Sequence, residues 1–182
     1  MNTWVILLRG VMPIGKNKVP MAQLRQVLTE AGFEGVRTYI QSGNALVRTD
    51  LSAPEVEKRV HDLIQQHIGP DLVVVVRTGA QLQKILDGNP FPNHDISRVF
   101  FTVLAQTPPE EKVKQVLAKD YAPEEVVITN DAAYLFIPGS AARSQLSNNY
   151  LEKKLGVGAT TRNFNTMKKL IELSKETSSE IE

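Results

Sequence analysis

Apolar positions along this chain fall into short continuous runs and into three-and-four spacings, and the two patterns come in the same order twice. Thr3 to Leu8 is an apolar run suited to a buried strand, and a loop with Gly10, Pro13 and Gly15 follows it. Met21, Leu24, Val27, Leu28 and Ala31 then make one helical stripe, with Pro20 suited to its first position and Gly32 to its stop. Val36 to Gln41 and Ala45 to Thr49 are β-prone runs around Ser42-Gly43-Asn44, where Gly and Asn can take the positive φ of a tight hairpin. Val56, Val60, Leu63 and Ile64 predict a second helix with Pro54 in its first turn, capped by Asp50 or Ser52 and ended by Gly69-Pro70. Leu72 to Val76 reads as a buried strand.

A bridging segment, Ala80 to Asp87, and the turn-rich Gly88 to Asn93 separate this unit from a second. Arg98 to Leu104 predicts a strand, Pro108 to Lys119 a helix, and Glu125 to Thr129 with Ala133 to Ile137 a hairpin around Asn130-Asp131. Ser144 to Leu155 predicts a helix closed by Gly156, Ala159 to Arg162 a short strand, and Asn165 to about Lys175 a terminal helix. Two consecutive βαββαβ units predict an α+β protein of two tandem ferredoxin-like sandwiches (α/β plaits) with an extra C-terminal helix. The expected divisions are 1–78 for the first unit, 79–96 for a bridging helix and linker, 97–176 for the second unit with its terminal helix, and 177–182 for a frayed tail. A single mixed-sheet domain is the alternative. It would bury the Pro- and Asn-rich bridge, whose backbone groups would then lack water.

Composition narrows the function classes. In 182 residues, 42% hydrophobic, there is enough apolar material for a real core. Twenty-one basic and twenty acidic side chains leave +1, so no global field favours nucleic acid or an anionic membrane, and any such binding must come from a local patch. There is no cysteine, which excludes disulfides, thiolate metal sites and cysteine nucleophiles. No run of about 18 apolar residues suggests a membrane span, and Trp4 to Leu8 lacks the flanks of a secretory signal. A soluble, cytoplasmic protein with no membrane partner is the expectation.

The loop Gly10-Val11-Met12-Pro13-Ile14-Gly15-Lys16-Asn17 follows the first strand and spells a phosphate-binding loop up to its last position. There Asn17 replaces the Ser or Thr whose hydroxyl would hold magnesium. Pro20 delays the helix, and Leu72 to Val76 runs into Arg77 where an acidic residue would complete a magnesium site, so nucleotidase chemistry does not follow. In a βαββαβ unit the loop leaving strand one and the hairpin after strand two share one end of the sheet. That brings Arg9, Gly15, Lys16, Asn17 and Lys18 near Ser42, Gly43 and Asn44 as a candidate anion site. The bland alternative is a tight turn with solvated lysines.

Thr160-Thr161-Arg162-Asn163-Phe164-Asn165-Thr166 is a second polar cluster, in which Asn163 or Asn165 caps the terminal helix and Arg162 is positioned for an anion. No catalytic set emerges: Ser144 has no activating base, and His61 and His67 are not at ligand spacing, with His94 in the bridge. No metal and no cofactor is implied. Tyr39 and Phe101 are the aromatics placed for base stacking.

Leu7-Leu8-Arg9-Gly10, Gly15 to Met21 with Leu24-Arg25, Tyr39-Ile40-Gln41-Ser42-Gly43-Asn44, Asn89-Pro90-Phe91 and Thr160 to Thr166 together resemble the bacterial domain-of-unknown-function family DUF1697. The resemblance covers residues 1 to about 174 and implies a cytoplasmic bacterial protein of two ferredoxin-like halves, with no established reaction. The family's first loop usually runs Gly-Ile-Asn-Val-Gly-Gly-Lys-Asn. Met12 and Ile14 depart from it, removing a polar side chain and a freely turning position.

Three functions fit these residues: binding of a phosphate-bearing ligand such as a nucleotide or short RNA, catalysis on a small phosphorylated or carboxylated metabolite clamped by Lys16 and Arg162, and protein interaction without a small ligand.

Overall fold

The computed structural model describes residues 1–176, so the tail expected at 177–182 lies outside the described residues. The described residues divide into two compact units, Met1–Leu82 with residues 169–176, and Gln83–Lys168.

The first unit runs β1 (Asn2–Leu8), α1 (Met21–Glu30), β2 (Glu34–Tyr39), β3 (Asn44–Thr49), α2 (Ala53–His67) and β4 (Val74–Arg77). Its strands form one antiparallel sheet in the order β2-β3-β1-β4. Central β1 pairs Ile6 with Ala45 on one side and with Val76 on the other. Ile6, Leu8, Ala45, Val47, Val74 and Val76 share a sheet face and pack with Leu24 and Leu28 of α1 and Val56, Val60 and Ile64 of α2. Period-2 alternation puts Val5 and Leu7 on the opposite face, and they too are fully buried. That accounts for the unbroken apolar run of β1, since a strand with one wet face would alternate.

The helices start where local chemistry sets them. Ser52 and Glu55 form a reciprocal capping box at α2: the Glu55 N–H donates to the Ser52 hydroxyl, and the Ser52 N–H donates to the Glu55 carboxylate at 2.7 Å. This decides between the two expected caps. Pro20 is the residue before α1, one position earlier than the sequence pattern placed it. β4 begins at Val74, not Leu72; Leu72 is a buried loop residue, and Val73 is exposed.

Passing through α3 (Gly79–Asp87), the second unit runs β5 (Val99–Leu104), α4 (Glu110–Leu117), β6 (Glu125–Ile128), β7 (Ala132–Phe136), α5 (Asn148–Leu155) and β8 (Ala159–Asn163), and α6 (Phe164–Lys175) carries the chain out of it. The sheet order β6-β7-β5-β8 repeats that of the first unit, antiparallel throughout. Leu104, Ala133, Leu135 and Ala159 pack with Val116, Leu151 and Leu155. Two separate sheets rule out the single mixed-sheet alternative.

α5 is shorter than the expected Ser144 start. Ser147 caps it through the Tyr150 N–H, while the Ser144 hydroxyl donates to Glu124 at 2.6 Å and accepts the Leu146 N–H, so that segment turns instead of coiling. α4 is likewise shorter than the expected 108–119. No helix among the described residues is long and apolar enough to cross a membrane.

Candidate functional site

Antiparallel pairing fixes what meets at one end of the first sheet. Leu7 lies opposite Asn44, Tyr39 opposite Asn44, and Leu8 opposite Val74. The end of β1, the end of β2 and the starts of β3 and β4 are therefore neighbours, and so is the beginning of α1, which runs back along the sheet from this end.

Short backbone bonds tie the connections together. The Leu8 N–H donates to the Gly43 carbonyl at 2.8 Å, and the Arg9 N–H donates to the Val73 carbonyl at 3.0 Å. Within the loop, the Met12 N–H donates to the Asn17 carbonyl at 3.0 Å and the Lys18 N–H to the Gly15 carbonyl at 3.2 Å. Asn17 thus closes the loop with its backbone. Gly10 and Gly15 sit at φ +73° and +86°, turning the chain sharply on either side of Met12 to Ile14.

The hairpin turn packs onto this loop. A Cβ on Gly43 would lie 2.7 Å from Val11 Cγ2 and 2.9 Å from Leu8 Cβ, so the backbone approach requires glycine, and φ +86° requires it again. Asn44 is not a turn residue as the sequence suggested. It opens β3, fully buried, and its Nδ2 donates to the Tyr39 carbonyl at 3.1 Å and the Ser42 hydroxyl at 2.9 Å. The second positive φ of the turn falls on Ile40, at 49°.

Arg9, Gly15, Lys16, Asn17, Ser42, Gly43 and Asn44 are accordingly brought to one end of one unit. Lys16 and Lys18 are exposed and Arg9 is half-buried. α1 begins with no side-chain cap and no acid in its first turn, so its leading amides add positive potential here. Arg162 and Asn163 belong to the other unit. Arg162 is 9% exposed, and its guanidinium donates to the Thr160 hydroxyl at 2.6 Å and the Thr161 carbonyl at 3.0 Å. Burial pushes its pKa down to about 10, which leaves it charged at neutral pH. Asn163, not Asn165, accepts the Thr166 N–H at 2.9 Å in the first turn of α6. Phe101 is fully buried, which removes it as a base-stacking surface, and Tyr39 is half-buried.

Two features of this end were not foreseen. Ile40 takes a conformation that no sequence pattern assigns to a β-branched residue. Val73 enters because its carbonyl, just before β4, accepts the Arg9 N–H just after β1. The groove of about 350 Å³ along α2 mixes Lys58 and Arg59 with Glu55 and Asp62, so it selects no sign of charge. Among the described residues, no group of three or more His, Asp and Glu could hold a metal ion.

His61 on α2 anchors the segment that leads into this end. Its Nε2 lies 2.6 Å from Asp71 and its Nδ1 3.1 Å from Asp62, and the two carboxylates, Asp71 foremost, hold its pKa above 6.5. Because the folded value is raised, the contribution is complete below the unfolded pKa and is lost as pH rises through the folded one. His61→Gln should therefore cost about 0.5 kcal/mol at pH 5.5 in urea unfolding, and less at pH 8.5. An equal deficit at both values would show that the pair is not titrating.

A family model described as a protein of unknown function (DUF1697) matches residues 1–134. The solved structure of the conserved bacterial protein SP0830 from Streptococcus pneumoniae is 23% identical, with a TM-score of 0.75 over 95% of this chain and 98% of that one. At that identity the likeness shows the fold alone. No curated protein matches the chain.

Proposed function

The chain belongs to the DUF1697 family, and we propose that the loop from Arg9 to Lys18, with the Ser42-Gly43-Asn44 turn, binds the phosphate of an anionic ligand such as a nucleotide or short RNA. The observation that carries this reading is the seating of Gly43 on Leu8 and Val11, which joins two loops otherwise remote in sequence. Positive-φ glycines at 10 and 15 alter the direction of successive amides, and exposed Lys16 and Lys18 supply charge. The reading involves no magnesium chemistry, since Asn17 offers no hydroxyl. We read each βαββαβ half as ferredoxin-like, on the strength of its strand order, and the setting as cytoplasmic, on the cysteine-free composition.

Tyr39, the aromatic at this end of the first unit, is half-buried, which favours a mononucleotide over RNA, because sheet-mediated RNA recognition uses exposed aromatics. Filter binding and thermal shift with AMP, inorganic phosphate and a short RNA at two salt concentrations test the proposal. Saturating ligand, at about a hundredfold its Kd, should stabilise the fold by roughly 2.7 kcal/mol. Lys16→Ala should weaken binding by roughly tenfold, the worth of one charge-assisted hydrogen bond. Salt-independent binding, or binding unchanged in Lys16→Ala with Arg9→Ala, would refute it.

A further inference from the structure

The same end of the first unit also gathers apolar side chains that nothing covers. The exposed large apolar residues among the described part of that unit are Met1, Met12, Ile14, Ile40 and Val73, and the last four all lie here. Ile14 is 79% exposed, at the tip of the loop and two residues from Lys16. Val73 is joined to the loop through the bond from the Arg9 N–H, and Ile40 sits in the turn whose Gly43 packs on Val11. Scattered exposed apolar residues are ordinary, but a group at one tip marks an interaction surface.

Ile40 adds a second, independent sign. A β-branched residue held at φ 49° is strained, and at 50% exposure it recovers little of that strain by packing. Strain kept in an exposed position is a feature of functional loops.

The charges at this end select the occupant. The loop from Arg9 to Lys18 and the turn from Tyr39 to Asn44 carry three basic residues, Arg9, Lys16 and Lys18, and no acidic one. Exposed apolar side chains interspersed with exposed cations match a bilayer whose headgroups are anionic and whose interior accepts apolar groups. A mononucleotide meets the cations but is too small to cover four outward-facing side chains. We infer that this end docks on an anionic phospholipid surface, Met12, Ile14, Ile40 and Val73 entering the headgroup boundary while Arg9, Lys16 and Lys18 engage lipid phosphates. The inference rests on the phosphate-binding reading and names the source of the phosphate. It differs from the sequence expectation of no membrane partner, which rested on the overall charge of +1 and on the lack of a long apolar run.

Co-sedimentation of the full chain with vesicles tests it, using pure phosphatidylcholine and a phosphatidylcholine–phosphatidylglycerol mixture, beside thermal shift with inorganic phosphate and AMP. Binding to mixed vesicles should exceed binding to neutral ones and fall with salt. Ile40→Ser with Val73→Ser, both exposed and outside the phosphate loop, should weaken vesicle binding by roughly tenfold or more while the phosphate response persists. Lys16→Ala should lower both. Phosphate or AMP binding without vesicle binding overturns the lipid inference and leaves the anion site standing, and loss of both responses overturns the two together. Vesicle binding indifferent to the serine double variant, equal binding to neutral vesicles, or self-association of the chain through this end in place of vesicle binding also overturns the lipid inference.

Discussion

Gly43→Ala is expected to destabilise the protein by about 2–4 kcal/mol, the sum of a left-handed backbone forced on an L side chain and of overpacking against a closed neighbourhood. The new methyl group would fall 2.7 Å from Val11 Cγ2, 2.9 Å from Leu8 Cβ and 3.3 Å from the Leu8 carbonyl oxygen. Leu8 is fully buried in the sheet, so the turn has to move. That movement would break the bond between the Leu8 N–H and the Gly43 carbonyl and separate the hairpin from the loop. Two controls isolate the cause. Gly15→Ala carries the same φ of +86° but meets open space, so it should lose only the backbone part, about 1–2 kcal/mol. Gly139→Ala has neither constraint and should be neutral or slightly stabilising. Urea unfolding that ranks Gly43→Ala no worse than Gly15→Ala would mean the close approach is absent in solution.

Asn44→Ala should cost about 2–3 kcal/mol, because it deletes two hydrogen bonds, takes a donor from the carbonyl of half-buried Tyr39 and leaves a gap at a fully buried position. Asn44 is completely buried, and its amide holds the Tyr39 carbonyl and the Ser42 hydroxyl across the turn. Ser42→Ala removes one of those bonds at an exposed position and should cost about 1 kcal/mol or less. The comparison separates the clasp on Tyr39 from the contact with Ser42, and it is read from urea midpoints at unchanged slope. Comparable small losses for both variants would show that Asn44 is replaceable and that the turn is held by Gly43 alone.

Much of the architecture was readable from periodicity, because strands and helices here follow their burial. The unbroken run Val5 to Leu8 signals a strand buried on both faces, and Leu24, Leu28, Val56, Val60 and Ile64 mark the stripes that reach the sheet. Errors gathered where side chains bond to the backbone locally. Ser144 and Ser147 both bond to backbone near the start of α5, and only the structure shows that Ser147 is the cap. Asn44 has a turn former's composition, yet tertiary burial drew it into β3 and passed the positive φ to Ile40, against intrinsic preference. The gathering of Arg9 to Lys18 with the Ser42 turn followed from topology alone. The exposed apolar rim did not, since exposure depends on which loop side chains find a neighbour, and sequence spacing does not encode that.

Whether the first loop and the hairpin turn act as one phosphate-binding unit is read from the amide spectrum of the isotope-labelled protein during titration with inorganic phosphate and then AMP. The amides of Gly10 to Lys18, excepting Pro13, and of Ser42 and Gly43 should shift together and saturate, and should remain still in Lys16→Ala. Shifts confined to other parts of the chain, or no saturable shift in either segment, would contradict a single phosphate-binding unit.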